Sequence, residues 1–249
     1  MSLASAKLSK IGCTALVAQR ISSINSLGAI CESTGAGIGD VTRACSMNPR
    51  IGGGCLQAGL AFGGSCLKKD TIGLAELAES LALGDVDQYW RDILVVNDFQ
   101  SSRFAHSIIK SLGGTVRSKR IVFLGLAYKK GTCDARGSIT KELIVILHRQ
   151  GAEIDIFDPL VPDAHIHQQL AEVDDEKNPV RTISDTDEIV QGTDAIIVMN
   201  DSQEHESIDW TRIAEKMSDS KMLFDPRGCL IKNNWSKLGS SSKIFKTCR

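Results

Sequence analysis

The glycine pair Gly113-Gly114 divides the chain into two parts with different hydrophobic periods. Before it, apolar residues recur at helical spacing, as at Val17, Ile21, Ile24 and Cys31. After it, short apolar runs alternate with amphipathic stretches. RIVFLGLA (120–127), EIDIFDP (153–159), DAIIVMN (194–200) and KMLFDP (221–226) have strand character, and TKELIVILHRQG (140–151) is a helix closed by Gly151. Strands alternating with helices need a parallel sheet, because each parallel crossover requires a long connection. The sequence therefore predicts an α/β chain: an all-helical domain over 1–116, then a Rossmann-like, doubly wound parallel sheet over 117–249.

Within the first part the pattern predicts a helix over 3–31 stopped near Gly35 and a short helix over 41–45. Two further helices are predicted over 71–83 and 85–112, the last with Asp85 as its N-cap. NPRIGGGC (48–55) is irregular, since Pro49 and the glycines break regular structure.

Charge narrows the partners. Net charge is −1 with no run of like charges, so nucleic acid and acidic membrane surfaces are not expected. Lys7, Lys10 and Arg20 interrupt the N-terminal apolar stretch, and neither a signal peptide nor a membrane span is expected. The eight cysteines (13, 31, 45, 55, 66, 133, 229, 248) contain no C-x-x-C pair, and the expectation is free thiols in the cytoplasm. His165 and His167 lack a third ligand at metal spacing, so no metal is expected. They read as solvated helix-surface residues, His106 and His148 as structural, and Trp90 as core or interface.

In doubly wound sheets ligands sit beyond the carboxyl ends of the strands. That rule selects 125–136, 157–159, 199–202 and 224–228. Lys129, Lys130 and Arg136 on the first of these loops suit a phosphate, and a merely solvated basic loop is an equal alternative. GLAYKKG is not G-x-G-x-x-G and no such fingerprint occurs in these residues, so no NAD site and no cofactor are expected.

AFGGSCLKKD (61–70) places one cysteine behind two glycines and ahead of two lysines and an aspartate. On composition alone Cys66 is one more inert thiol. Its surroundings reverse that. FGGSCLKKD, with AQRISSINSLGAICESTGA (18–36), VNDFQSSRFA (96–105) and LGLAYKKGTCDAR (124–136), resembles successive segments of the UDP-glucose dehydrogenases, in the UDP-glucose/GDP-mannose dehydrogenase family. The resemblance covers that family's central and UDP-binding domains, without its N-terminal NAD-binding domain. It implies that Cys66 is the thiol nucleophile, Lys10 the active-site lysine and Asp70 the aspartate that helps activate water. It also implies substrate contacts at Phe62, Gly63, Tyr128 and Lys129, an arginine reaching a neighbouring subunit's site at Arg50, and at Arg136 the arginine that in the family contacts NAD.

The departures fall in the same site. The family's asparagine is Thr14 here, which still offers a hydrogen bond. Its substrate-loop lysine is Gln57, the second arginine of its F-D-G-R-R segment is Gly228, and an acidic residue is Gly131. Two lost cations weaken anion binding. The leading expectation is a repurposed, cofactor-independent enzyme acting on a small molecule by isomerisation, dehydration, aldol-type or cyclisation chemistry. A cation beside a thiol favours its ionised form, and a lysine–aspartate pair transfers protons. The alternatives are a non-catalytic partner of full-length UDP-glucose dehydrogenase, or one half of a split dehydrogenase. A homodimer through the helical part is expected in any of them.

Overall fold

The computed structural model describes residues 1–174, 176–185, 192–202, 208, 210, 212–213, 217, 222–228 and the backbone of 243–245. Cys229 and Cys248 lie outside the described residues. The chain packs as two compact units, the first ending at Ser101 and the second starting at Ser102.

The first unit is helical: α1 (Leu3–Thr34), α2 (Ile38–Met47), α3 (Ser65–Ser80) and most of α4 (Gly84–Ser111). Ser2 caps α1 by accepting from the Ser5 amide at 3.1 Å, and Gly35 ends the helix in the left-handed conformation at φ 77°. Ala15 and Ala18 of α1 and Ala75 and Ala78 of α3 are buried, and these small side chains let two helices approach closely. Asp85 is not the N-cap. The Leu83 carbonyl accepts from the Val86 and Asp87 amides, so α4 starts earlier and Asp85 lies in its first turn, where a carboxylate favours the helix dipole. The short helix is also longer than expected, over Ile38–Met47.

The second unit holds β1 (Arg120–Leu124), α5 (Ile139–Arg149), β2 (Glu153–Phe157), α6 (Asp163–Leu170), β3 (Arg181–Thr182), β4 (Ala195–Val198), β5 (Met222–Phe224) and β6 (Lys243–Phe245). All strand pairs are parallel, in the order β3-β2-β1-β4-β5-β6, a Rossmann order. β1, β2 and β4 are buried almost end to end, as expected where a parallel sheet is covered on both faces. Asp155 interrupts β2 with a fully buried carboxylate, which Arg120 and Arg181 hold at 2.5 and 2.7 Å. His148 is buried and its Nε2 lies 2.7 Å from the Asn178 carbonyl, while His167 pairs with Asp174 at the α6 surface.

Candidate active site

The N-terminal part of α3 carries the site. Gly64 enters it at φ 89°, ψ 153°, a conformation open to glycine but strained for other residues. That turn lets α3 begin at Ser65, six residues before the pattern predicts, and places Cys66 in its first turn. Asp70 follows one turn later on the same face of the helix.

α1 runs antiparallel alongside: Lys10 meets Asp70, while Ala18 shares a core cluster with Phe62 and Leu67. Lys10 Nζ donates to Asp70 Oδ2 at 2.8 Å, and Lys69 Nζ lies 3.9 Å from the other carboxylate oxygen. Asp70 is 5% exposed and Lys10 64%, so the carboxylate is fixed in the protein and the ammonium reaches solvent. Thr14 Oγ1 donates to the Lys10 carbonyl at 3.2 Å. Cys66 is exposed.

The charges reinforce one another. The hydrogen bond from Lys10 holds the Asp70 carboxyl below its ordinary value against the opposing cost of burial, with help from Thr14 and the charge of Lys69. Its hydrogen bond to Asp70 raises Lys10 above the ordinary lysine value, and the charges of Asp70 and Cys66 add to this against some desolvation. Both shifts favour the ionised pair, Lys10 with its proton and Asp70 without one.

The cleft beside this pair has a volume of about 630 Å³ and is lined by Ala6, Lys7, Lys10, Ile11, Lys69, Asp70 and Gly73. All of these residues lie on α1 and α3.

Polar residues that sequence reasoning missed hold the loop leading into α3. Asn97, buried in α4, accepts from the Phe62 amide at 2.8 Å and donates to the Phe62 carbonyl at 3.1 Å. Asn25 accepts from the Gly59 amide, and Gln100 donates to the Gly59 carbonyl. Arg20 donates to the Gly52 and Gly54 carbonyls at 2.8 Å each. The available signal was polar residues at helical spacing on otherwise apolar faces. Phe62 is buried and Gly63 half-buried on that loop. Arg50 is exposed, with its amide bound to Asn48 Oδ1. Trp90 is half-buried against the Ala18, Phe62 and Ile93 cluster.

Tyr128, Lys129 and Arg136 form a separate group in the second unit, on the loop after β1. Asp158 fixes the start of this loop by accepting from the Leu126 and Ala127 amides at 2.7 and 2.9 Å. Ser138 caps the following helix. Lys129 lies over the Tyr128 ring, 5.3 Å from its centroid. Arg136 forks onto Asp134 at 2.9 and 3.0 Å, chiefly lowering that carboxyl and raising its own affinity for a proton. Lys130 stands 4.0 Å from Asp201. The loop's positive charge is thus partly neutralised in place. Gly131 and Gly228 take φ 70° and 66°, so the side chains that the family pattern places there would be strained.

Among the described residues no group of three or more histidine, cysteine or acidic side chains is placed to hold a metal ion. No helix among them is long and apolar enough to cross a membrane.

Comparison with known proteins agrees with the fold and the motifs. The central-domain model of the UDP-glucose/GDP-mannose dehydrogenase family matches residues 4–99, and its UDP-binding-domain model matches 122–232. The chain is 39% identical to UDP-glucose 6-dehydrogenase of Drosophila melanogaster over 241 residues, covering 94% of this chain and 51% of that protein. It is 41% identical to the mouse UDP-glucose 6-dehydrogenase, over 91% of this chain and 47% of that one. It superimposes on a UDP-glucose dehydrogenase from Pyrobaculum islandicum with a TM-score of 0.74 at 26% identity, covering 97% of this chain and 50% of that one. The chain thus spans about half the length of these relatives. With both domain models matched in chain order, it belongs to the UDP-glucose/GDP-mannose dehydrogenase family.

Proposed function

We propose that these residues form a catalytic unit acting on a small carbonyl compound by proton transfer at the carbon next to the carbonyl rather than by hydride transfer. The observation that carries this reading is the Lys10–Asp70 ion pair one turn along α3 from the exposed Cys66. Cys66, as thiolate, removes a proton from the carbon next to the carbonyl. The C–H electrons become the enolate double bond, and the carbonyl π electrons move to oxygen. The Lys10 ammonium donates a hydrogen bond to that oxygen, and Asp70 keeps Lys10 in place and charged. The thiol then returns its proton to the same carbon, from either face, as the oxygen electrons reform the carbonyl, which exchanges or inverts that centre with no electron gained or lost. Loss of a cation at Gln57 fits a substrate without a diphosphate.

The test is proton exchange in D₂O. Cyclohexanone and 7-oxooctanoate are incubated with the whole chain, and their α-proton signals are followed by NMR. Exchange above the protein-free rate is expected, falling about tenfold or more in Cys66→Ala and less steeply in Lys10→Met. Exchange that is absent, or unchanged in Cys66→Ala, defeats the reading.

A second reading concerns assembly. Leu8, Leu16, Leu27 and Ile30 are exposed along one face of α1, apart from the face that packs within the unit, and Val95 and Phe99 are exposed on α4. A helix with two apolar stripes fits a partner on the second one. We propose a homodimer through this face, with a full-length UDP-glucose dehydrogenase subunit as the alternative occupant. Cytoplasmic placement and a domain boundary at 116/117, after the glycine pair, belong to the same proposal.

A further inference from the structure

We infer that the α1–α3 cleft receives an amphiphilic carboxylate: one anionic group on an apolar body. The lining shows both halves of this chemistry. Ala6, Ile11 and Gly73 are apolar, and the lysine stems add aliphatic surface. Lys7, Lys10 and Lys69 bring three ammonium groups against the one carboxylate of Asp70, which leaves two positive charges uncompensated. Asp70 is already held by Lys10 at 2.8 Å and approached by Lys69 at 3.9 Å, and Lys7 has no acidic partner among the described residues. The volume of about 630 Å³ lies within the range of small-molecule sites.

Gly73 forms one wall of the cleft. It lies inside α3, where glycine weakens a helix, and its packing does not require it: an added Cβ would meet no atom within 4 Å. A side chain much larger than a methyl group there would project into the cleft.

Positions along the two helices bound the length of the ligand. Lys7 stands about one turn before Lys10 on α1 and Gly73 about one turn after Asp70 on α3, and both line the cleft. Cys66 and Gly73 are separated by seven residues, roughly 10 Å along the axis. Cys66 is not among the residues that line the cleft; it lies one turn beyond Asp70, and a ligand that keeps its carboxylate beside Gly73 and reaches Cys66 spans about eight carbons at that distance. This inference rests on the proposed catalytic reading only in assigning the Cys66 end; the binding claim stands on the cleft.

The test uses octanoate, with 1-octanol and acetate as its two halves, and calorimetric titration of the whole chain. Octanoate is expected to bind saturably at least tenfold more tightly than either comparison compound. Lys7→Glu is expected to weaken octanoate tenfold or more, and Gly73→Leu to abolish its binding, both with wild-type circular dichroism. Lys110→Glu makes the same charge change far along the sequence, on α4, and is expected to leave binding intact. Octanoate binding no tighter than 1-octanol, or equally affected by Lys7→Glu and Lys110→Glu, overturns the inference. The two readings fail separately. Octanoate binding that depends on Lys7, without α-proton exchange, supports the inference while removing the catalytic reading. Exchange of cyclohexanone with no octanoate binding overturns the inference and spares the catalytic reading.

Discussion

Lys10 and Asp70 are sixty residues apart in sequence and 2.8 Å apart in space, and their environments are opposite: the carboxylate is buried and the ammonium faces solvent. The pair bridges α1 and α3 at the wall of the cleft. It also has a definite pH window. Asp70 has a lowered carboxyl pKa in the folded state, so its contribution is present above the ordinary value of 3.8 and is lost as pH falls through the folded value. Lys10 is raised, so its contribution is full below 10.5 and is lost as pH rises through the folded value. Asp70→Asn should therefore lower the melting temperature by a constant amount between about pH 5 and 9. The gap should close in stronger acid and above about pH 10.5, as scanning calorimetry across that range would show. A gap independent of pH down to pH 2 would assign the loss to packing instead.

Asn97 makes both of its hydrogen bonds to the backbone of Phe62, in a buried setting. Asn97→Ala strands one amide and one carbonyl of the loop that leads to Cys66. We expect a loss of about 2–3 kcal/mol in urea unfolding. A change under about 0.5 kcal/mol would mean that the loop finds other partners.

Gly125 sits at φ 100°, and a Cβ there would come within 2.4 Å of the buried Asn200 side chain. Gly125→Ala combines backbone strain with overpacking, and about 2–4 kcal/mol of destabilisation is expected. Equilibrium denaturation followed by Phe and Trp fluorescence would measure it, and wild-type stability would contradict the close approach.

Gln57 replaces a family lysine on the loop before Cys66. If that cation was the missing part of a nucleotide-sugar site, Gln57→Lys should tighten UDP-glucose binding by about tenfold, through one charge-assisted hydrogen bond. Thermal shift with UDP, UDP-glucose and UDP-glucuronate tests this. No shift in either protein would place the loss elsewhere, with Gly228 in place of the family arginine as the next suspect.

Leu27→Glu and Ile30→Glu place charges on the exposed apolar stripe of α1. Sedimentation equilibrium should show a dimer for the wild type and a monomer for the double variant, with unchanged helix content. A wild-type monomer at micromolar concentration would dismiss the assembly reading.

Periodicity alone determined the division into a helical part and an alternating part, because helix and strand patterns put side chains on incompatible faces. β1, β2, β4 and β5 lie where their apolar runs stand, and Gly35 and Gly151 end helices with positive φ as their positions imply. Shorter elements were illegible: β3 has two residues and α6 eight, too few for a period to declare itself. Asp155 in a strand could not be explained from sequence, since its partners Arg120 and Arg181 come from neighbouring strands. The site divides in the same way. The F-G-G-S-C-x-x-K-D motif singled out Cys66 and Asp70 through resemblance, but the fixed charge on Lys10 required Asp70 to be close. Lys7 and Gly73 have no motif to mark them. They meet only where two antiparallel helices bring them to one cleft, because a cleft is a relation between surfaces and a sequence orders residues along a single line.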